Sequence, residues 1–286
     1  MQRPPLVITI QSQVVMGQVG NSAAAFPMQA AGLEVAQIPT VLLSNTPFYP
    51  TLRGGSLPEE FFADLLRGAE ERGLTERAAY ILTGYVSSPA IAEMTADFVA
   101  RARAVNPRLT YICDPVMGDT KPGLYVPETI ARVICDRLLP QADIATPNPF
   151  EVSYLSGVTM THPEDILEAA RKMRLRPEAR LIATGCRLAG TPEGMIETVV
   201  HGPEGTSRHP VTLQPAHVSG TGDLFAALVT VGLARGLALA HAVDHAQVQM
   251  SRSIARSIAL GLPEVALDDP AFRRDLLSFG MPAALV

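Results

Sequence analysis

The sequence of 286 residues contains no tryptophan, three cysteines and only 18% charged side chains. Cys113, Cys135 and Cys186 are odd in number and widely separated, which fits neither a disulfide framework nor a zinc site. No run of lysine and arginine interleaved with aromatic residues occurs, and the net charge is −5, so nothing favours nucleic acid as a partner. We therefore expect reduced thiols and no nucleic-acid partner.

Long apolar runs and long linkers are also missing. The apolar stretch 224–234 stops at Arg235 after too few residues to span a bilayer, and only Arg3 precedes the first apolar run. These features predict no membrane association and, by default, a cytoplasmic location. Because no linker divides the chain and 47% of its side chains are hydrophobic, we expect residues 1–286 to form one domain around a large core.

Short apolar runs alternate with longer amphipathic stretches, a pattern typical of βαβ units and a parallel sheet covered on both faces. Two later runs, 194–201 and 206–213, flank a turn and predict an antiparallel hairpin. The sequence therefore predicts an α/β fold. Since ligands collect beyond the carboxyl ends of parallel strands, residues that follow the runs should line one edge together: Ser12, Tyr85, Asp114, Thr146 and Thr184.

A glycine-rich turn opens the most apolar helical stretch. Gly220, Thr221, Gly222 and Asp223 directly precede LFAALVTVGLARG. Unpaired N–H groups at a helix N-terminus attract phosphate, and glycine lets an anion approach the backbone closely. An aspartate at the same turn suits proton removal from a hydroxyl that attacks phosphorus. Taken alone, the four residues are better explained by an aspartate that merely caps the helix, and it is the surrounding sequence that favours catalysis.

Two further acidic turns follow predicted strands. Asp114 and Asp119 lie five residues apart in CDPVMGD, which predicts a magnesium site or, alternatively, an Asp-Pro turn. In TPNPFE, Thr146 and Glu151 either join the same edge or belong to an ordinary helix start. Three acidic turns on one sheet edge favour the functional interpretation.

Two other features point to a small-molecule pocket. The segment 12–21, SQVVMGQVGN, offers a serine and glycines after the first strand, although an ordinary connecting loop has the same composition. Tyr85, one of six tyrosines, either stacks on an aromatic ring or packs against the core.

Taken together, these motifs resemble pyridoxal kinases of the ribokinase superfamily. The resemblance covers nearly the whole chain and depends on IQSQVVMGQVGNSAAAFPMQAAG, LTGYV, CDPVMGD, LYVPE, DIATPNPFEVSYLSG and VSGTGDLFAAL, in this order. It implies a ribokinase-like three-layer α/β/α sandwich with a mostly parallel central sheet and helices on both faces. It also implies ATP and Mg²⁺, a monovalent cation such as K⁺, and a homodimer.

The resemblance assigns roles to individual residues. Asp223 would be the base for the 5′-hydroxyl of pyridoxal, and Gly220, Thr221 and Gly222 would supply the anion hole. The vitamer site would include Ser12, Thr46, Pro47, Tyr85 and Asp223. Metal would be held by Asp114, Asp119 and Glu151, and the segment 120–126 would cover ATP. The ATP site would include Asp114, Thr146, Glu151, Thr184, Ala216, His217, Val218 and Ser219.

The chain departs from the family on the vitamer side. Pro47 stands where a threonine often contacts the substrate, Gln13 and Gln18 replace frequent histidines, and Met16 replaces a tyrosine or arginine. Vitamer preference among pyridoxal, pyridoxamine and pyridoxine is therefore open.

Two alternatives stay open. A hydroxymethylpyrimidine kinase would act on a similar alcohol, but such enzymes usually carry cysteine where this chain has Asp223. A vitamin B6 storage or sensor protein would need no base, which the retained Asp223 and Asp114 disfavour.

Overall fold

The computed structural model describes residues 3–215 and 217–278. Its central sheet has nine strands in the order β11-β10-β9-β8-β5-β4-β1-β2-β3. The strands from β9 through β2 pair in parallel, whereas β3, β10 and β11 add antiparallel edges. A separate two-stranded hairpin joins β6 to β7. The α/β prediction and the late antiparallel hairpin are both confirmed.

The elements follow the alternation seen in the sequence. The strands are β1 (Leu6–Val14), β2 (Glu34–Leu43), β3 (Gly54–Ser56), β4 (Ala78–Thr83), β5 (Thr110–Cys113), β6 (Gly118–Asp119), β7 (Gly123–Leu124), β8 (Ile144–Ala145), β9 (Arg180–Cys186), β10 (Met195–Gly202) and β11 (Gly205–Thr212). The α-helices are α1 (Asn21–Ala30), α2 (Glu59–Glu71), α3 (Leu74–Arg77), α4 (Pro89–Val105), α5 (Glu128–Val133), α6 (Pro149–Ser156), α7 (Asp165–Lys172), α8 (Thr221–Ala234), α9 (Leu239–Leu260) and α10 (Pro270–Ser278). A π-helical turn (Ile134–Leu138) and a 3₁₀ turn (Leu139–Gln141) follow α5.

Helices cover both faces of the sheet, so the fold has three layers. Alternate residues of a strand point to opposite faces, and β1 shows this directly. Ile8 and Ile10 belong to the core that contains Phe98 of α4. Val7 belongs to the second core, which contains Phe225 of α8. The sheet is thus buried on both sides, as its continuous apolar runs predict.

One boundary differs from the sequence prediction. The run LVITIQS predicts that β1 ends at Ser12, but the strand continues to Val14, and its register against β2 shifts between Gln11 and Gln13. Ser12 therefore lies inside the strand at this irregularity, where the β1–α1 loop approaches it. The continuation is polar at Gln13, so the apolar pattern gives no sign of it.

No helix among residues 3–215 and 217–278 is long and apolar enough to cross a membrane.

Helices α8 and α9 approach closely at a glycine. A Cβ added to Gly232 would lie 2.6 Å from the Cβ and 3.0 Å from the Cα of Ala242. Gly68 in α2 is the natural control because a Cβ there would meet nothing within 4 Å.

We therefore expect Gly232→Ala to lower the free energy of unfolding by about 1–3 kcal/mol through overpacking. Gly68→Ala should raise it by about 0.5–1 kcal/mol through helix propensity. Urea denaturation of the two variants checks this. Equal effects of the same sign would contradict the close packing of α8 on α9.

Candidate active site

The glycine turn that opens α8 is fixed by its contact with the β1–α1 loop. Gly220 has φ 79°, in the left-handed region, and a Cβ there would lie 2.1 Å from the carbonyl oxygen of Gln18. Only glycine fits this conformation and this close approach. The first N–H groups of α8, from Thr221 onward, have no carbonyl four residues earlier within the helix. The turn therefore presents donors of the kind that bind phosphate.

Asp223 in the first turn of α8 also contacts the β1–α1 loop. Its Oδ2 accepts a hydrogen bond from the backbone N–H of Gly20 at 2.8 Å. Gly20 has φ 54°, and a Cβ there would lie 2.2 Å from both the carbonyl oxygen and Oγ of Ser12. Burial raises the pKa of Asp223, while the Gly20 hydrogen bond lowers it in part. The two segments predicted to share a site, around Ser12 and Asp223, thus meet through Gly20.

Asp114 faces the same turn from the end of β5. Its Oδ2 lies 3.5 Å from the position that a Cβ of Gly222 would occupy. The residue is buried. Burial, together with the charges of Glu151 and Asp223, raises the pKa of Asp114 well above its usual range. The carboxylates of Asp114, Glu151 and Asp223 are therefore near enough for electrostatic repulsion, and we call them the carboxylate cluster.

Glu151 is held in the cluster by the backbone. It forms a capping box with Asn148: the Asn148 side chain accepts from the Glu151 N–H at 3.0 Å, and Glu151 Oε2 accepts from the Asn148 N–H at 2.9 Å. Oε1 accepts from the Met117 N–H at 2.8 Å. Burial raises the pKa of Glu151 to about 7 although these N–H groups oppose the shift. The helix-start and functional interpretations of TPNPFE therefore apply to the same residue.

The β6–β7 hairpin lies beside the cluster. Asp119 in β6 accepts a hydrogen bond from the N–H of Thr120 at 2.6 Å, and its charge contributes to the raised pKa of Glu151. Tyr125, just after β7, donates its N–H to Met117 O at 3.0 Å. Tyr125 is 49% exposed; its partial burial, and then the charges of Glu151 and Asp114, raise the pKa of its phenol. The tyrosine therefore faces the carboxylates.

The two threonines predicted for ATP belong to neighbouring strands: Thr146 directly follows β8, and Thr184 lies near the end of β9. Thr146 donates its N–H to Cys113 O at 3.1 Å, and its buried side chain lies beside Asp114, where its hydroxyl partly lowers the pKa of that carboxyl. Thr184 donates its N–H to Pro147 O at 3.0 Å. Both therefore lie at the carboxyl edge, as the strand pattern predicts.

The residues of segment 216–219, which precede the glycine turn, differ in their exposure. Ala216 lies outside the described residues. His217 is exposed, with its ring centroid 6.4 Å from that of Phe48, whereas Val218 is buried in the second core. Ser219 is tied by its backbone, and its buried hydroxyl has no hydrogen-bond partner in residues 3–215 and 217–278.

The residues predicted for the vitamer are placed differently from one another. Thr46 is fully buried, and its hydroxyl donates to Glu264 Oε2 at 3.3 Å. Pro47 is exposed. Tyr85 is half-buried against the first core, and its carbonyl oxygen accepts from the Thr40 hydroxyl at 2.7 Å. Their contacts with a vitamer stay predictions.

No group of three or more His, Cys, Asp or Glu side chains in the described part of the chain has the arrangement of a metal site. Magnesium does not need one, because it is commonly held by one or two carboxylates with water and substrate phosphates. The donors near the glycine turn are of this type: Asp114 and Glu151 are buried acids, and burial is the main cause of their raised pKa values. These residues fit a magnesium ion.

Sequence reasoning missed three residues that the structure brings to the site. The Gly20 N–H donates a hydrogen bond to Asp223, Tyr125 lies near the carboxylates, and Glu264 accepts a hydrogen bond from Thr46. Tyr125 could have been identified because it lies in the segment 120–126, which was expected to cover ATP. Gly20 lies in the segment 12–21 that was expected to shape a pocket, but its partner Asp223 and the Thr46 partner of Glu264 are each more than 200 positions away, so no local pattern identifies these two contacts.

Comparison with known proteins decides the family. Residues 74–267 match the model of a family described as phosphomethylpyrimidine kinase. A pyridoxine/pyridoxal/pyridoxamine kinase of Bordetella avium is 37% identical over 87% of this chain and 84% of its own length. The chain belongs to the pyridoxal kinase family.

Other members agree with this assignment. A pyridoxal kinase of Rubrobacter xylanophilus is 36% identical over 91% of this chain and 90% of its own length. The structure of the Leishmania donovani pyridoxal kinase in complex with ADP and pyridoxamine has a TM-score of 0.84, with 31% identity and 95% of both chains covered. The resemblance to pyridoxal kinases and the ribokinase-like fold are thus confirmed.

The carboxylate cluster should make the stability of the folded protein depend on pH. Since the folded protein binds the Asp114 proton more tightly than the unfolded chain does, ionised Asp114 costs stability, and this cost develops as the pH rises above the unfolded pKa. Without metal at pH 8, Asp114→Asn should melt a few degrees higher than the wild type. The gain should shrink towards pH 4.

Asp268→Asn is the matched control, because Arg256 lowers the pKa of Asp268 and its removal should not stabilise the protein. Thermal denaturation followed by circular dichroism measures both variants. An Asp114→Asn protein that melts at or below the wild-type temperature at pH 8 would show that the cluster carries no repulsion.

Proposed function

We propose that this chain transfers the γ-phosphoryl group of ATP to the 5′-hydroxyl of pyridoxal and gives pyridoxal 5′-phosphate in vitamin B6 salvage. Pyridoxamine and pyridoxine are further candidate substrates. The observation that carries the proposal is Asp223, which lies in the first turn of a glycine-capped helix beside Asp114 and is hydrogen-bonded to Gly20. The relative from Leishmania donovani was solved with ADP and pyridoxamine, which supports an adenine nucleotide and a B6 vitamer as the two ligands of this chain.

Asp223 acts as the general base. Its raised pKa brings its basicity nearer to neutral pH than that of an exposed aspartate, which favours proton transfer from an alcohol. The Gly20 N–H holds one carboxylate oxygen and so fixes the direction of the group. A substrate hydroxyl that approaches Asp223 would lose its proton as the oxygen attacks the γ-phosphorus.

The backbone of the glycine turn stabilises the transferred group. The N–H groups from Gly220 to Gly222 lie at the positive end of α8 and match charge on the phosphoryl oxygens. Around them, ATP would be bound by Asp114, Thr146, Glu151, Thr184 and the segment 216–219.

A magnesium ion would be held near Asp114 and Glu151, with Asp119 at the hairpin as a further oxygen donor. When bound, it neutralises negative charge on the phosphates. A monovalent cation such as K⁺ is a further candidate. The hairpin β6–β7 and Tyr125 would cover the nucleotide and exclude water, which competes with the substrate alcohol.

The state of the protein in the cell is part of the proposal. By its resemblance to this family, the chain would form a homodimer, be located in the cytoplasm and have no membrane partner. The two cores on opposite faces of one sheet support a single domain over residues 1–286.

A second substrate class deserves a test because of one observation. The matched family is described as phosphomethylpyrimidine kinase, and a hydroxymethylpyrimidine is also a small heteroaromatic alcohol. The pyridoxal assignment is preferred because the relatives that cover most of this chain are named pyridoxal kinases.

Asp223→Asn should keep the shape of the turn but lose the base, so kcat should fall about 10²–10⁴-fold. The Kd values of ADP and pyridoxal should change little. Steady-state kinetics with pyridoxal, pyridoxamine, pyridoxine and hydroxymethylpyrimidine, each with ATP and magnesium, measure this and define the substrate.

Asp165→Asn is the matched control, since the Asp165 carboxylate also accepts backbone N–H groups at a helix start, from Thr161 and His162. It should keep wild-type kcat. Near-normal kcat in Asp223→Asn would overturn the assignment of the base, and exclusive turnover of the pyrimidine would overturn the pyridoxal assignment.

A further inference from the structure

Glu264 is a buried carboxylate that lies outside every motif in the sequence. It is 7% exposed and follows α9 in the segment that leads to α10. Its Oε2 accepts from the Thr46 hydroxyl at 3.3 Å and its Oε1 from the Tyr49 hydroxyl at 3.4 Å. Both donors belong to the loop that follows β2. Because burying a carboxylate is costly without hydrogen bonds, Glu264 needs these two donors. The same bonds hold the Thr46 and Tyr49 side chains in place.

The same side chain contacts the β1–α1 loop. A Cβ added to Gly17 would lie 3.2 Å from Glu264 Oε1 and 2.7 Å from the Thr46 Cγ2. Gly17 has φ 105°, which favours glycine. Three residues later in this loop, Gly20 donates to Asp223. Glu264 and Thr46 therefore pack directly beneath the loop that orients the base.

The backbone of Glu264 is attached to the glycine turn. It forms a β-bridge with Ser219, and the flanking bonds run from Ser219 N to Pro263 O and from Val265 N to Ser219 O, both at 2.9 Å. A Cβ on Gly220 would lie 3.2 Å from the Val265 Cγ2. One residue thus joins three segments that are far apart in the chain.

The loop after β2 has its own internal order. Asn45 donates through Nδ2 to Thr46 O at 2.9 Å and to Thr51 O at 2.8 Å. Tyr49 N donates to Thr46 O at 3.4 Å across Pro47 and Phe48. The loop is therefore a preformed unit, and the hydroxyls of Thr46 and Tyr49 are its polar side-chain links to Glu264.

We propose that Glu264 is a positioning residue that holds the Thr46–Tyr49 loop and the Gly17–Gly20 segment against the glycine turn. Its side chain sets the affinity for the vitamer through Thr46 and Tyr49, whereas the bridge to Ser219 on the nucleotide side is made by the backbone and does not depend on that side chain. Thr46 then acts through Glu264 and does not itself bind the substrate. This inference rests on the proposed function for the identity of the ligand.

The test is a double-mutant cycle on Thr46 and Glu264. Thr46→Val and Glu264→Ala should each raise the Kd for pyridoxal about tenfold, since each removes a hydrogen bond to a buried charged group. In the Glu264→Ala background, Thr46→Val should change that Kd less than twofold, because the bond is already lost. The Kd for ADP should stay within twofold throughout. Isothermal titration calorimetry gives all these values.

The conservative variant separates positioning from simple loss of packing. Glu264→Gln retains an acceptor oxygen and should recover part of the pyridoxal affinity that Glu264→Ala loses. Glu197→Gln is the matched control, because Glu197 is also buried and accepts from Thr191 and Arg208 far along the sheet. It should leave the Kd for pyridoxal unchanged even if it lowers the melting temperature.

Several results would overturn the inference. Equal effects of Thr46→Val in both backgrounds would show that Thr46 binds the vitamer directly. Equal weakening of ADP and pyridoxal would show a general structural role. If Glu264→Ala does not fold, Thr46→Val and Tyr49→Phe replace it, and unchanged pyridoxal Kd in both would contradict the proposal.

Failure of the proposed function gives a different result. Wild-type protein that binds pyridoxal without turnover would refute the kinase assignment while the Kd cycle still tests Glu264. Wild-type protein that does not bind any B6 vitamer would overturn both.

Discussion

The mutual repulsion of three carboxylates is the constraint on which the site depends. Burial, and then the charges of Glu151 and Asp223, raise the pKa of Asp114 well above its usual range. A charge cluster of this kind costs stability unless cations or N–H donors compensate for it. The fold supplies donors from the backbone, and a bound cation would supply the remainder. The energetic cost is therefore located where the proposed reaction needs negative charge.

The surrounding backbone provides hydrogen-bond donors to two members of the cluster. Glu151 accepts N–H groups from Asn148 and Met117, and Asp223 accepts the N–H of Gly20. Each of these bonds joins a strand-end turn to a helix start. The turns after β5 and β8 are consequently fixed relative to the start of α6, and the turn after β1 is fixed relative to the start of α8.

The sequence predicted the parts of this arrangement that have a local signal. Strand runs that end in polar residues placed Asp114 and Thr146 at one sheet edge, and the glycine turn placed Asp223 at a helix start. The pairing of Gly20 with Asp223 joins positions 203 residues apart, and that of Thr46 with Glu264 joins positions 218 residues apart. Such contacts depend on tertiary packing and leave no periodic pattern. The extension of β1 past Ser12 was missed because Gln13 interrupts the apolar run before Val14.

The most direct test of this account is the number of protons released when a magnesium–nucleotide complex binds at pH 7. Calorimetric titration with preformed Mg²⁺–ADP in buffers of different ionisation enthalpy measures it, with Asp114→Asn as the reference. A cation favours the charged carboxylates, and burial has raised the pKa of Glu151 to about 7. Net proton release is therefore expected, with fewer protons released by the Asp114→Asn variant. Binding without release, or with equal release in both proteins, would contradict the claim that repulsion among buried carboxylates organises the site.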